Sequence, residues 1–142
     1  CSSDLWLTCG ASGVVGFGIP GAMAARLAYP DRPIILLSGD GSIGFTTAEL
    51  ESAARQHLGF ALVLADDRAW GIVLTGHKAS FGEGITSELS SVDYAGVAVA
   101  FGARGARIGQ ADEIAPAIAE AATGDVPTLI HVPTARNNPG AP

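Results

Sequence analysis

Two short stretches of the sequence combine acids with glycines in positions suited to binding a metal ion. The first is "SGDGSIGF" at residues 38–45, where Asp40 stands between Gly39 and Gly41, directly after the apolar run "IILL". The second is "ADDRAWG" at residues 65–71, which follows the apolar run "FALVL". An acid at the end of a buried strand is costly unless a cation or hydrogen-bond donors meet it. Both stretches are therefore candidate functional sites.

These two stretches have the residue types needed to bind Mg²⁺ together with a diphosphate. Mg²⁺ prefers hard oxygen ligands and commonly bridges a protein carboxylate to a diphosphate. Asp40 supplies one such oxygen, and Asp67 supplies a second. The glycines beside Asp40 let the backbone approach closely, so that the N–H groups of Gly41 and Ser42 can face phosphate oxygens. We interpret the neighbouring Asp66 as a solvated turn acid.

The acids follow strands of a predicted parallel sheet. "IILLSGD", "FALVLAD" and "PTLIHVP" are short apolar runs of the kind that forms buried strands, and they alternate with predicted helices along the chain. This alternation predicts an α/β fold with a three-layer, doubly wound parallel sheet. Ligands bind such sheets outside the carboxyl ends of the strands, so we expect Asp40 and Asp67 to converge on one site.

The segments between the strands predict helices and one long loop. Helices are predicted at residues 18–29 and 46–59, and the second begins with the capping-box spacing of Thr46 and Glu49. Residues 75–91 are glycine-rich, polar and aperiodic, which predicts a loop. A loop of this length in a small domain suggests a function.

Composition limits the classes of partner. The chain has 142 residues, 48% of them hydrophobic and 15% charged, with a net charge of −6. We expect one domain at residues 1–135 and a tail at residues 136–142. The negative charge argues against a nucleic-acid partner, and the apolar runs are too short for a membrane span. Cys1 and Cys9 are expected to be free thiols, which favours a cytoplasmic location.

A second glycine motif competes with the first. "GFGIPG" at residues 16–21 matches the G-x-G-x-x-G pattern of NAD-binding Rossmann domains, opens a helix, and has Asp40 downstream. The pattern is weak here, because Gly10 and Gly13 interrupt the segment that should be the preceding strand. A dinucleotide-binding domain remains the alternative of another class.

Most of the chain resembles a known family. "TCGASGVVGFGIPGAMAARLAYPDRPIILLSGDGSIGFTTAEL", "DYAGVAVAFGARGARI" and "PTLIHV" are similar to the diphosphate-binding domain of thiamine diphosphate-dependent enzymes, above all acetolactate synthase. The resemblance implies thiamine diphosphate and Mg²⁺ as cofactors and a small 2-oxo acid as substrate. A 2-oxo acid decarboxylase and a 2-hydroxyacyl-CoA lyase of the same family are the alternatives.

The resemblance also assigns roles to residues of the two acidic stretches. It implies that Asp40 and Asp67 are Mg²⁺ ligands, that the carbonyl of Ala69 is the third ligand, and that Gly41 and Ser42 hold the diphosphate. Asp67 stands where the family usually has asparagine. We therefore expect the metal requirement to persist, with diphosphate affinity lowered or made more dependent on Mg²⁺.

Further roles lie outside these stretches. By the same resemblance, Val15 supports the bent cofactor and Gly13 offers a carbonyl to its 4′-amino group. The catalytic glutamate of the family comes from a pyrimidine-binding domain, so no catalytic residue is assigned here. We expect that domain as a partner, on the same chain or on a separate subunit, together with a homo-oligomer. Alone, this chain is expected to be inactive.

Overall fold

A parallel four-stranded sheet organises the protein. The structure, a computed structural model, describes residues 5–136. Its strands are β1 (Ile35–Gly39), β2 (Ala61–Asp66), β3 (Arg104–Arg107) and β4 (Thr128–Pro133). They pair in parallel in the order β1-β2-β4-β3. The predicted parallel α/β fold is confirmed.

Six α-helices accompany the strands in the described residues. They are α1 (Gly18–Ala28), α2 (Asp40–Ile43), α3 (Glu49–Arg55), α4 (Gly71–Phe81), α5 (Tyr94–Ala100) and α6 (Ile114–Ala121). Within the described range, no helix combines the length and the apolar character needed to cross a bilayer.

Burial on both faces explains why the two central strands, β2 and β4, are largely apolar. On one face, Leu62 and Leu64 of β2 and Leu129 of β4 join a large core cluster with residues of α1, α3 and α5. On the other face, Ile130 packs with α6 in a smaller cluster. Side chains alternate along a strand, so Asp66 extends from the same face as Leu62 and Leu64.

The second face is incompletely covered by the described residues. Ile35 and Leu37 of β1 remain 52% and 61% exposed. They alternate with Leu36, which packs against the large core cluster. This apolar surface accounts for part of the high hydrophobic content of the chain.

Two of the predicted elements need correction. The helix predicted at residues 46–59 spans Glu49–Arg55, and its N-cap residue, Ala48, makes no side-chain capping bond. The predicted capping box is therefore wrong. Thr46 instead donates its hydroxyl to the Gly16 carbonyl at 2.9 Å, because the turn that precedes the helix packs against the glycine-rich segment.

The predicted loop at residues 75–91 is also wrong over its first part. Helix α4 ends at Phe81, and its C-cap residue, Gly82, adopts a left-handed φ of 81°. The helix buries only Leu74, so the sequence carries little apolar periodicity to reveal it. Cys1 and the tail from residue 137 onward lie outside the described residues, whereas Cys9 is a free cysteine.

Candidate metal centre

The two acidic stretches meet at the carboxyl edge of the sheet. Strands β1 and β2 are parallel neighbours with Gly39 opposite Ala65, so the residues that follow them lie side by side. The backbone N–H of Ala69 is 3.1 Å from Asp40 Oδ2 and 3.1 Å from Asp67 Oδ1. The predicted convergence of Asp40 and Asp67 is confirmed, because the Ala69 N–H donates to a carboxylate oxygen of each.

Asp40 is a buried acid that pairs with no cationic side chain among residues 5–136. Its side chain is 4% exposed, and Oδ1 accepts a hydrogen bond from the Gly41 N–H at 2.9 Å. Burial raises the pKa of Asp40, and the nearby Asp66 and Asp67 raise it further, against the lowering effect of the Gly41 bond. Among residues 5–136, no basic side chain forms an ion pair with Asp40 or Asp67. The site is therefore suited to a cation.

Asp66 is not the solvated turn acid that we predicted. It is 7% exposed, with Oδ2 2.7 Å from His131 Nε2 and Oδ1 accepting from the Arg68 N–H at 3.0 Å. Burial alone would raise the pKa of Asp66, but the hydrogen bonds from His131 and Arg68 bring it below its ordinary value. Because side chains alternate between the two faces along β2, the side chain of Asp66 lies on the core side of the sheet.

His131, on β4, completes a buried polar chain behind the site. Its ring is fully buried, and Nδ1 lies 3.3 Å from Arg107 Nη1 on β3. A guanidinium has only donors, so Nδ1 is the acceptor and Nε2 donates to Asp66. Tyr94 packs edge-on against the ring, with centroids 5.5 Å apart. This pairing could not be predicted, because a single histidine in a strand carries no signal of its partner.

The predicted diphosphate-binding residues line the turn after β1. A Cβ on Gly39 would meet only the Ala65 oxygen, at 4.0 Å, so the space beside this glycine is open. A Cβ on Gly41 would come within 2.9 Å of the Trp70 ring, so glycine is needed there for packing. The Ser42 hydroxyl accepts from the Gly16 N–H at 3.2 Å. The open space beside Gly39 fits a phosphate group that must approach the backbone.

Val15 and Gly13 lie in the segment that packs on this turn. Val15 is 45% exposed, and Gly13 ends a 3₁₀ turn at Gly10–Ser12 with a left-handed φ of 59°. No heavy atom lies within 4 Å of the place where a Gly13 Cβ would stand. Both residues are therefore free to contact a ligand.

The glycines of "GFGIPG" are explained by packing against protein groups. A Cβ on Gly16 would approach Phe45 to 2.7 Å, one on Gly18 would approach Leu36 to 2.9 Å, and one on Gly21 would approach Phe17 to 2.8 Å. Within residues 5–136 the first strand begins at Ile35, so no strand leads into this motif. The arrangement that a Rossmann phosphate loop requires is missing from the described part of the chain.

The oxygen donors at this site are too few to surround a cation by themselves, so a bound cation would need further ligands. The described residues contain no group of three or more His, Cys, Asp or Glu side chains arranged around a metal. Asp40, Asp67 and the Ala69 carbonyl are all hard oxygen donors, which suit Mg²⁺. Mg²⁺ commonly takes its remaining oxygen ligands from phosphate groups and water. Beside the acids, a cavity of about 410 Å³ is lined by Asp40, Gly41 and aromatic side chains that include Trp70 and Tyr94.

Most of the chain is similar in sequence to known proteins. The sequence model of the family "Thiamine pyrophosphate enzyme, C-terminal TPP binding domain" matches residues 2–132. The acetolactate synthase large subunit of Mycobacterium tuberculosis is 32% identical over 130 residues, which cover 91% of this chain and 24% of that protein. The 2-hydroxyacyl-CoA lyase 2 of Danio rerio is 32% identical over 108 residues, 76% of this chain and 17% of that protein.

Solved structures show the same likeness. The thiamine diphosphate-dependent 4-hydroxybenzoylformate decarboxylase of Rhodococcus jostii has a TM-score of 0.82 and 34% identity, covering 89% of this chain and 24% of that chain. The benzoylformate decarboxylase of Polynucleobacter necessarius also has a TM-score of 0.82, at 23% identity. The chain thus spans about a quarter or less of these relatives.

Proposed function

The chain belongs to the family of C-terminal TPP-binding domains of thiamine pyrophosphate enzymes, and from that premise we propose that it holds the diphosphate of the cofactor through Mg²⁺. The observation that carries this proposal is the shared Ala69 N–H, which is 3.1 Å from an oxygen of Asp40 and 3.1 Å from an oxygen of Asp67. Burial and the neighbouring Asp66 and Asp67 raise the pKa of Asp40, and a cation bound to the carboxylates would offset both effects.

Each residue then has a defined task. Asp40, Asp67 and the Ala69 carbonyl bind the cation, while Gly41 and Ser42 hold the diphosphate beside the open space at Gly39. Val15 and Gly13 contact the organic part of the cofactor. When bound, thiamine diphosphate supplies an electron sink for breaking or forming a bond next to a carbonyl.

For the whole enzyme we propose acetolactate synthase-like carboligation or decarboxylation of a small 2-oxo acid. The relatives include an acetolactate synthase large subunit and a thiamine diphosphate-dependent 4-hydroxybenzoylformate decarboxylase. A 2-hydroxyacyl-CoA lyase is the second candidate, supported by the relative from Danio rerio. Because Cys9 is a free thiol, we also propose a cytoplasmic setting.

We further propose that this chain needs a pyrimidine-binding domain for turnover and works in a homo-oligomer. Apolar side chains near the candidate site are exposed, including Phe45 at 64% and Ile72 at 93%. Contiguous exposed apolar surface commonly marks an interface. The family glutamate that activates the cofactor would arrive on that partner.

Calorimetric titration with thiamine diphosphate, in Mg²⁺ and in EDTA, tests the proposal. We expect binding only with Mg²⁺, and Asp40→Asn should weaken it at least about 100-fold, because even residues that only support metal ligands are worth roughly 10- to 100-fold. The matched variant Asp67→Asn should retain the Mg²⁺ requirement and bind the cofactor more tightly, because it removes a negative charge beside the diphosphate.

NADH is the control ligand. Binding of NADH without Mg²⁺ would favour the dinucleotide alternative and overturn the assignment. If Asp67→Asn left both the Mg²⁺ requirement and the cofactor affinity unchanged, the expected charge effect would be wrong while the site itself would stand.

A further inference from the structure

The turn that carries two of the proposed metal ligands has an unusual backbone. Arg68, between Asp67 and Ala69, has a φ of 58°. A residue with a long side chain seldom occupies this left-handed region, so surrounding contacts must hold it there. The conformation matters because it sets the directions of the Asp67 side chain and of the Ala69 peptide.

Backbone and side-chain hydrogen bonds hold both ends of the Arg68–Ala69 peptide. Its N–H donates to Asp40 and Asp67, as described above. Its carbonyl, on Arg68, accepts from the Leu89 N–H at 2.8 Å. The adjoining Trp70 N–H donates to the Ser87 carbonyl at 2.9 Å.

Arg136 also donates hydrogen bonds to this turn. Its Nε donates to the Asp67 carbonyl at 2.9 Å, and Nη2 donates to the Arg68 carbonyl at 2.7 Å. The third donor, Nη1, is 2.6 Å from Glu88 Oε1. Thr134 N–H donates to the Asp66 carbonyl at 2.8 Å, which anchors the segment leading to Arg136 against the end of β2.

We propose that Arg136 is a positioning residue of the metal centre, an inference that rests on the proposed function. A peptide unit is planar, so a guanidinium on the Arg68 carbonyl and carboxylates on the Ala69 N–H fix one plane from both ends. The hydrogen bond from Arg136 Nε also fixes the Asp67 carbonyl. Arg136 lies beyond the matched residues 2–132, and the fork of donors cannot be replaced by the point charge of lysine.

The test compares Arg136→Met and Arg136→Lys with Arg26→Met in the full chain. Arg26 is a matched control, because it also donates to backbone carbonyls, those of Gly59, Pro30 and Arg32, at 2.6, 2.8 and 2.9 Å. Two quantities are measured: amide hydrogen exchange at Ala69 without metal, and the Mg²⁺ concentration that half-saturates thiamine diphosphate binding.

We expect Arg136→Met to speed exchange at Ala69 and to raise the half-saturating Mg²⁺ concentration by about tenfold, the size of effect seen for residues that orient metal ligands. Arg136→Lys should recover only a small part of both losses. Arg26→Met should lower stability and leave both quantities unchanged.

An unchanged Mg²⁺ requirement in Arg136→Met would overturn the proposal, even if exchange at Ala69 became faster, since Arg136 would then only support the fold. Failure of the unaltered chain to bind thiamine diphosphate with Mg²⁺ would instead refute the proposed function, and the positioning role with it. Binding of thiamine diphosphate by the unaltered chain therefore distinguishes a failure of the positioning role from a failure of the proposed function.

Discussion

The two ends of the sheet are built on opposite principles. At the amino end, backbone packs against backbone: a Cβ on Gly59, just before β2, would overlap the carbonyl of Gly124, in the turn before β4. At the carboxyl end, three neighbouring acids, Asp40, Asp66 and Asp67, lie close together, and the turn at Arg68 has a left-handed φ. Close backbone packing therefore characterises the amino end, and neighbouring acids characterise the end where a ligand can compensate for their charge.

The largest expected effect lies at the amino end. Gly59→Ala places a methyl group against the Gly124 backbone, which cannot move without shifting the strand that follows. We expect the free energy of unfolding, measured with urea, to fall by about 3 kcal/mol, the upper range for overpacking. The Mg²⁺-dependent cofactor affinity of the folded fraction should stay the same.

Gly76→Ala is the matched control. Gly76 is inside α4, and no atom lies within 4 Å of its hypothetical Cβ. This variant should be stabilised by up to about 1 kcal/mol, because alanine favours helix. Equal stability of the two variants would contradict the contrast between tightly packed and open positions.

The buried pair behind the acids should give the second largest effect. His131→Leu removes a donor from the buried Asp66 carboxylate, which then keeps the hydrogen bond from the Arg68 N–H. We expect a loss of about 2–3 kcal/mol in the free energy of unfolding at neutral pH, because an orphaned buried charge keeps its desolvation cost. Adding Asp66→Asn to His131→Leu should recover much of that loss.

The exposed His57 is the control for this pair. Its Nδ1 is 3.4 Å from Asp125 Oδ2, with the side chains 72% and 79% exposed. His57→Asn should change stability by less than about 0.5 kcal/mol, as is usual for exposed pairs. If the double variant were as unstable as His131→Leu alone, the histidine would contribute by packing and not through Asp66.

The comparison of the two ends also shows what the sequence can reveal. The helix at Gly18–Ala28, the apolar strands and the convergence of Asp40 with Asp67 were predictable, because periodicity and the rule for parallel strand ends use only local pattern. The pairing of Asp66 with His131 joins residues 65 positions apart, and Arg136 reaches Asp67 across 69 positions. Neither contact leaves a spacing or composition signal.

The wrong predictions have a related cause. Thr46 and Glu49 have the spacing of a capping box, yet tertiary packing directs the Thr46 hydroxyl to Gly16. Asp66 lies in a polar stretch that is typical of a turn, yet it is the last residue of β2 and its side chain extends from the core face of the sheet. In both places the local sequence pattern predicts one role for the residue, and contacts with distant segments of the chain give it another.

The smallest expected effect concerns an acid after β3 that has no part in the metal centre. Glu113 Oε2 accepts from the Gly109 N–H at 2.8 Å and from the Gln110 N–H at 2.9 Å, and these two bonds lower the pKa of Glu113. An acid whose pKa is lower in the folded state stabilises the fold above its unfolded pKa, and this contribution disappears as the pH falls through the folded value.

Glu113→Gln should therefore reduce stability slightly at neutral pH, and the difference from the unaltered chain should vanish in acid. Urea unfolding at a series of pH values measures this. Asp112→Asn, which removes the same charge from the same turn, is measured in parallel as the control for net charge. If Glu113→Gln changed the Mg²⁺ requirement for thiamine diphosphate, acids along the whole carboxyl edge would contribute to binding, and the restriction of the site to the ends of β1 and β2 would be wrong.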